Sequence, residues 1–105
     1  MSLMGKPPLG QKVEMFVSDD LRKFAMGKEC QMKSDWCNWN WATTNLCHSR
    51  RKTGTGTAQK PHDFWGYHGC AGCHANEHKV SLADLYGAIW RTQCAVYAHF
   101  GTLTP

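Results

Sequence analysis

The ten residues from Gly69 to His78, reading GCAGCHANEH, constrain the fold of this chain more than any other stretch. Cys70 and Cys73 are separated by two residues, His74 follows directly, and His78 stands four further on. Thiolates at that spacing sit on a turn, and the imidazoles then fall on the first turns of a helix. The expectation is two metal sites sharing one corner.

The thiolates need partners, and Cys30 and Cys37 offer a second pair upstream. A structural zinc takes four sulfur or nitrogen ligands in a closed tetrahedron, usually as two pairs brought together from distant parts of a small domain. The gap between Cys30 and Cys37 is wider than the common knuckle, so the downstream pair carries the stronger signal. The reading is a structural Zn²⁺ on Cys30, Cys37, Cys70 and Cys73. A redox CxxC would need a surrounding βαβ pattern, which is absent. A disulfide framework suits a secreted chain, and nothing here resembles a secretory signal. Cys47 and Cys94 have no obvious mate and are expected as buried small apolar residues.

With 105 residues the chain makes one domain near the lower size limit for folding on a single core, where a metal staple helps. Pro7, Pro8, Gly5 and Gly10 mark residues 1–16 as a flexible arm, leaving 17–105 as a single zinc-stabilised domain. A mean hydropathy of −0.50 and no apolar run of membrane length predict a soluble chain without a membrane partner. The net charge of +4 suits an anionic partner such as nucleic acid, and suits many mildly basic proteins equally.

Ser18 reads as the N-cap of a short helix through Leu21, Phe24 and Ala25 that stops at Gly27, with Arg22 and Lys23 facing solvent. Glu29 to Lys33 reads as a short strand carrying Cys30. Trp36, Trp39 and Trp41 are expected to cover the zinc site and core, in preference to stacking on bases. Thr43 to His48 predicts a strand, Thr53 to Thr57 a mobile glycine loop, and Phe64 to Tyr67 a second strand antiparallel to the first. Ser81 and Asp84 open the longest helix, whose apolar face is Leu82, Leu85, Tyr86, Ile89, Trp90, Val96 and Phe100, and Gly101 ends it. The class is α+β: a small zinc-stabilised hairpin and helix, with a short N-terminal helix and a long C-terminal one.

Strand, loop, strand and short helix, with a histidine ending the first strand and histidines opening the helix, resembles the ββα-metal (HNH or His-Me finger) nucleases. That resemblance implies His48 as general base, and His74 with His78 as ligands of one divalent cation, Mg²⁺, Mn²⁺ or another. Phosphodiester hydrolysis needs a nucleophile made from water and relief of charge on the transition state and leaving oxygen. An imidazole can take the proton, and one cation can supply the rest. Arg50, Arg51, Lys52 and Lys60 bracket the glycine loop beside His48, where they would contact backbone phosphates; otherwise they form a solvated charge run. The plainer alternatives are a strand-end histidine bonded to backbone for His48, a zinc-loop cap for His74 and an exposed side chain for His78. Asp63 is expected as a turn residue, while His62, His68 and His99 are unassigned.

The ordered set LRKFAMGKECQ, CNWN, TTNLCHSR, GTGTAQKPHD and CAGCH is similar to the small nucleases of lambdoid phages and prophages, the YbcO-like family. The likeness covers roughly Leu21 to His78, with a fainter echo at Arg91 to Gln93. It implies a zinc-bound HNH-like fold and a setting in phage recombination or DNA processing in the cytoplasm of a bacterial host. Three positions depart from pattern: Cys47 stands where many HNH enzymes place an acidic or histidine ligand, His78 stands where the family usually has an acid, and His62 replaces one proline of a Lys-Pro-Pro-Asp run. The expected activity is metal-dependent DNA endonuclease. The rivals are an inactive zinc-stapled module binding nucleic acid or protein, and a redox protein using Cys70 and Cys73. DNA is the expected partner, with phage recombination proteins and a second copy of the chain as further candidates.

Overall fold

The computed structural model describes residues 17–49 and 62–101. Helix α1 spans Asp19–Ala25. The Ser18 hydroxyl accepts from the Leu21 N–H at 3.2 Å, and Asp19 and Asp20 lie in the first turn, where the helix dipole favours carboxylates. The helix stops at Ala25, and Gly27 follows at φ +76, a left-handed conformation that glycine adopts without a Cβ penalty.

Glu29 to Lys33 is not a strand. The chain passes through an irregular turn in which Lys33 takes φ +45 and its N–H points at Cys30 Sγ, 3.4 Å away. A sulfur that draws in the amide three residues on wraps the backbone around itself, which an extended strand would forbid. One backbone bond, from Gln31 N–H to the His68 carbonyl at 2.7 Å, ties this turn to the hairpin.

Strand β1 is Asn45–Cys47 and strand β2 is Tyr67–Gly69, paired antiparallel with Asn45 opposite Gly69 and Cys47 opposite Tyr67. Both are shorter or later than expected, because a 3-10 turn precedes each, Trp41–Thr43 and Asp63–Trp65. The Thr43 hydroxyl donates to the Asn40 carbonyl at 2.8 Å, so local bonding draws this β-branched residue into the turn. Helix α2, Ala71–Ala75, starts directly after β2, and a 3-10 turn at Glu77–Lys79 follows it. Helix α3, Leu82–Phe100, begins with the Ser81 hydroxyl accepting from Asp84 N–H and ends at Gly101, φ +76.

The core joins the inner arc of α3, namely Leu85, Ala88 and Ile89, to Met32, Cys47, Tyr67, Val80 and the buried cysteines. Burying Leu85 and Ile89 contributes about 1.5–3 kcal/mol each. The expected apolar face of α3 is only partly internal: Leu82, Tyr86, Trp90 and Phe100 are exposed. A two-stranded sheet is too narrow to cover more than one arc of a helix. Trp36 and Trp39 are exposed as well, and of the three tryptophans expected over the zinc site only Trp41 packs on the core. No helix among the described residues is long and apolar enough to cross a membrane.

Candidate metal centre and histidine site

The turn after α1 supplies Cys30, the following loop supplies Cys37, and the start of α2 supplies Cys70 and Cys73. Their four Sγ atoms lie within 4.8 Å of one another. Cys30 and Cys73 stand 3.7 Å apart, as do Cys37 and Cys70, and all four are free thiols. A tetrahedron of zinc–sulfur bonds places its vertices about 3.8 Å apart, so the spacing fits a four-coordinate ion and excludes disulfides. Such a cluster can hold a metal ion such as zinc. It is the only group of three or more His, Cys, Asp or Glu side chains close enough to do so among the described residues.

Donors converge on the sulfurs. Lys33 N–H faces Cys30 Sγ, Cys73 N–H faces Cys70 Sγ at 3.5 Å, and the Ser34 hydroxyl lies 3.1 Å from Cys73 Sγ. Burial pushes the Cys73 thiol up to about 12. For Cys70 burial acts in the same sense, yet the Cys73 and Asn38 amides and the neighbouring thiols outweigh it and bring the group down to about 7. Four sulfurs this close cannot all ionise without a cation between them. Helix α2 presses onto the Trp36–Asn38 backbone, where a Cβ on Gly72 would meet the Trp36 carbonyl oxygen at 2.2 Å.

His48 follows β1 directly, about a quarter exposed. Its Nε2 lies 2.8 Å from Oδ1 of Asp63, which is not a surface turn residue but is 2% exposed. The same carboxylate accepts from Ser18 N–H at 2.6 Å and from Arg22 Nε and Nη2 at 3.0 and 3.2 Å. Arg22, expected to face only solvent, is therefore an ion-pair partner. Burial alone would raise Asp63, but the Arg22 guanidinium, Ser18 N–H and His48 hold it below the usual carboxylate range. An ionised carboxylate can only accept, so the Nε2 of His48 that faces Asp63 is the nitrogen carrying a proton, and in the neutral ring Nδ1 is the acceptor. The signal for Asp63 was present in the Lys-Pro-x-Asp run; its burial depends on α1 crossing that segment, which no local pattern reveals.

His74 is exposed on α2. The helix ends at Ala75, so His78, exposed in the following 3-10 turn, does not share a continuous helix face with it. Neither joins His48 in a group of three potential ligands. Arg50, Arg51, Lys52 and Lys60 lie outside the described residues, as do the arm at residues 1–16 and the glycine loop. Cys47 is buried, its thiol pushed up to about 12 by burial, whereas Cys94 is exposed, contrary to expectation.

Two buried polar groups gave no sequence signal. Glu77 accepts from the Tyr67 hydroxyl at 2.7 Å beneath α2. His68 is 1% exposed, its Nε2 has no hydrogen-bond partner among the described residues, and burial lowers it to about 4.

The profile of the family described as "Putative nuclease YbcO" matches residues 19–96. Curated proteins of that description from Escherichia coli K12 and from Enterobacteria phage 82 are each 43% identical over 56 residues. The match covers 52% of this chain and 58% of each relative's own length. A solved structure described as a "putative bacteriophage protein" from Escherichia coli K-12 MG1655 superposes with a TM-score of 0.55 at 29% identity, covering 76% of this chain and 98% of that one.

Proposed function

This chain belongs to the YbcO family of nucleases, and from that premise we propose that it is a metal-dependent DNA endonuclease of the HNH type. Its setting would be phage recombination or DNA processing. The observation that carries the reading is the His48–Asp63 contact at the end of β1, on a hairpin whose second strand runs straight into the cysteine-bearing helix. Asp63 holds Nε2–H, so Nδ1 is free to take a proton from water. The resulting hydroxide attacks phosphorus, the P–O3′ bond breaks, and the 3′ oxygen leaves with a proton from solvent. Zinc on Cys30, Cys37, Cys70 and Cys73 acts as the staple that fixes β2 and α2 against the upstream turn.

A second divalent cation would supply charge relief at the phosphate and leaving oxygen. His74, with His78, is the candidate to hold it. Imidazole donors suit Mn²⁺ or another transition ion better than Mg²⁺, and with so few protein ligands, water and the phosphate would complete the shell. Arg50, Arg51, Lys52 and Lys60 would bind backbone phosphates.

One observation favours a rival, a zinc-stapled binding module without activity: His74 and His78 meet no third ligand among the described residues. Plasmid cleavage tests the choice. Cutting that requires added Mn²⁺ or Mg²⁺, and is lost in His48→Ala while zinc content and helical signal persist, supports the enzyme. Binding without cutting in every metal tried supports the module.

A further inference from the structure

Helix α3 carries a second apolar arc, turned away from the core. Leu82, Tyr86, Trp90 and Tyr97 recur at steps of four, four and seven, which keeps them within about a quarter-turn of one another on a 3.6-residue helix. They are 49, 45, 65 and 59% exposed, while Leu85, Ile89 and Val96 on the adjoining arc are buried. The arc holds no formal charge. Asp84 and Arg91 project from other sides, and Arg91 folds back to donate from Nε and Nη2 to the Gln31 carbonyl at 3.2 and 2.7 Å. A face without lysine or arginine cannot serve phosphates, whereas exposed Tyr and Trp around an uncharged centre have the composition of a protein interface core.

We propose that this arc is where a second copy of the chain docks, α3 crossing α3 antiparallel about a two-fold axis near Trp90. Trp90 lies close to the middle of the nineteen-residue helix, so the arc is self-complementary. The axis sets indole against indole, Tyr86 opposite Cys94 of the partner subunit, and Leu82 beside Tyr97 of the partner subunit. That contact closes on itself. The area is sufficient: side chains of this size at these exposures present about 450 Å² per copy. With Ala83 and Cys94 the pair reaches roughly 1,000 Å² in total, the lower bound for a specific interface.

Sedimentation velocity of the zinc-loaded full chain under reducing conditions tests this over about 2–200 µM. The mass is expected to rise from 11.9 kDa towards twice that value. Trp90→Glu and Tyr97→Glu each weaken association at least about tenfold, with helical signal and zinc content unchanged. Should Trp90→Glu misfold, Tyr97→Glu alone decides. A mass fixed at 11.9 kDa across the range, or association that survives both substitutions, overturns the proposal. DNA cleavage plays no part in the readout, so the dimer and the nuclease reading stand or fall separately.

Discussion

Nε2 of His48 and Oδ1 of Asp63 lie 2.8 Å apart, although fifteen positions of chain separate the two residues. Arg22 grips the same carboxylate from α1, so one buried acid aligns the hairpin, the segment before β2 and the N-terminal helix. Its charge is what orients the imidazole.

Asp63→Asn keeps the shape but removes that charge, and the amide can turn its NH₂ towards His48. We expect cleavage to fall about 10–100-fold while DNA binding holds, since a general base contributes roughly 10²–10⁴-fold and here is misdirected but not removed. Stability should drop by about 1–3 kcal/mol as the guanidinium and Ser18 N–H lose a charged acceptor. Asp63 is lowered from 3.8 in the folded state, so its stabilisation is present above pH 3.8 and is lost as pH falls through the lowered value. Urea unfolding in that acid range should therefore be steeper in pH for the wild type than for Asp63→Asn.

His68 governs a different window. Burial, with Lys28 nearby, lowers it from 6.5 to about 4, so the unfolded chain binds a proton that the folded chain refuses between those values. Stability falls as pH drops from 6.5 towards 4, by about 3 kcal/mol in all at 1.36 kcal/mol per unit. His68→Leu, which keeps an apolar body against Phe24, should remove the His68 share of that slope and leave the share due to protons competing for the zinc thiolates. An unchanged slope in urea titrations at pH 6.5 and 4.5 would show that the proton goes elsewhere.

Removing the metal should cost more than either change. Chelation at neutral pH is expected to release one zinc per chain and to unfold the β2–α2 corner, seen as loss of helical signal and exposure of the buried Cys30, Cys70 and Cys73 to alkylation. Cys70→Ser should mimic this, because the Cys70 side chain also caps α2 by accepting from Cys73 N–H. Rapid alkylation of Cys70 and Cys73 in the metal-loaded protein would instead favour a redox pair.

What could be read from the chain followed from local chemistry. Ser18, Ser81 and Gly101 act where their side chains or their freedom at φ > 0 dictate, and the paired cysteines meet at a spacing that fits a four-coordinate metal ion. Where partners lie far along the chain the reading failed. Asp63 opens a turn, as its sequence suggests, but nothing local showed that α1 would bury it against Arg22, and the apolar positions of α3 gave no sign that the sheet would cover only one side. The strand expected at Glu29 to Lys33 lost to amide bonding around Cys30 Sγ. Periodicity reports that a face is apolar; what it meets is a property of the whole fold.

Gly72 offers the sharpest test of the corner itself. Between Cys70 and Cys73 a helix tolerates alanine better than glycine by about 1 kcal/mol, so propensity alone predicts that Gly72→Ala stabilises α2. Packing predicts the reverse, because the added methyl would fall 2.2 Å from the Trp36 carbonyl oxygen, a backbone atom that cannot swing aside. Relief requires α2 to move off the Trp36–Asn38 segment, and that motion carries Cys70 away from Cys37, now 3.7 Å distant. The overpacking cost of about 1–3 kcal/mol then appears chiefly in the metal-bound state. Zinc affinity measured by competition with a chromogenic chelator should fall about 5- to 100-fold in Gly72→Ala, at 1.4 kcal/mol per decade. An affinity equal to wild type would mean that the helix does not rest on that backbone.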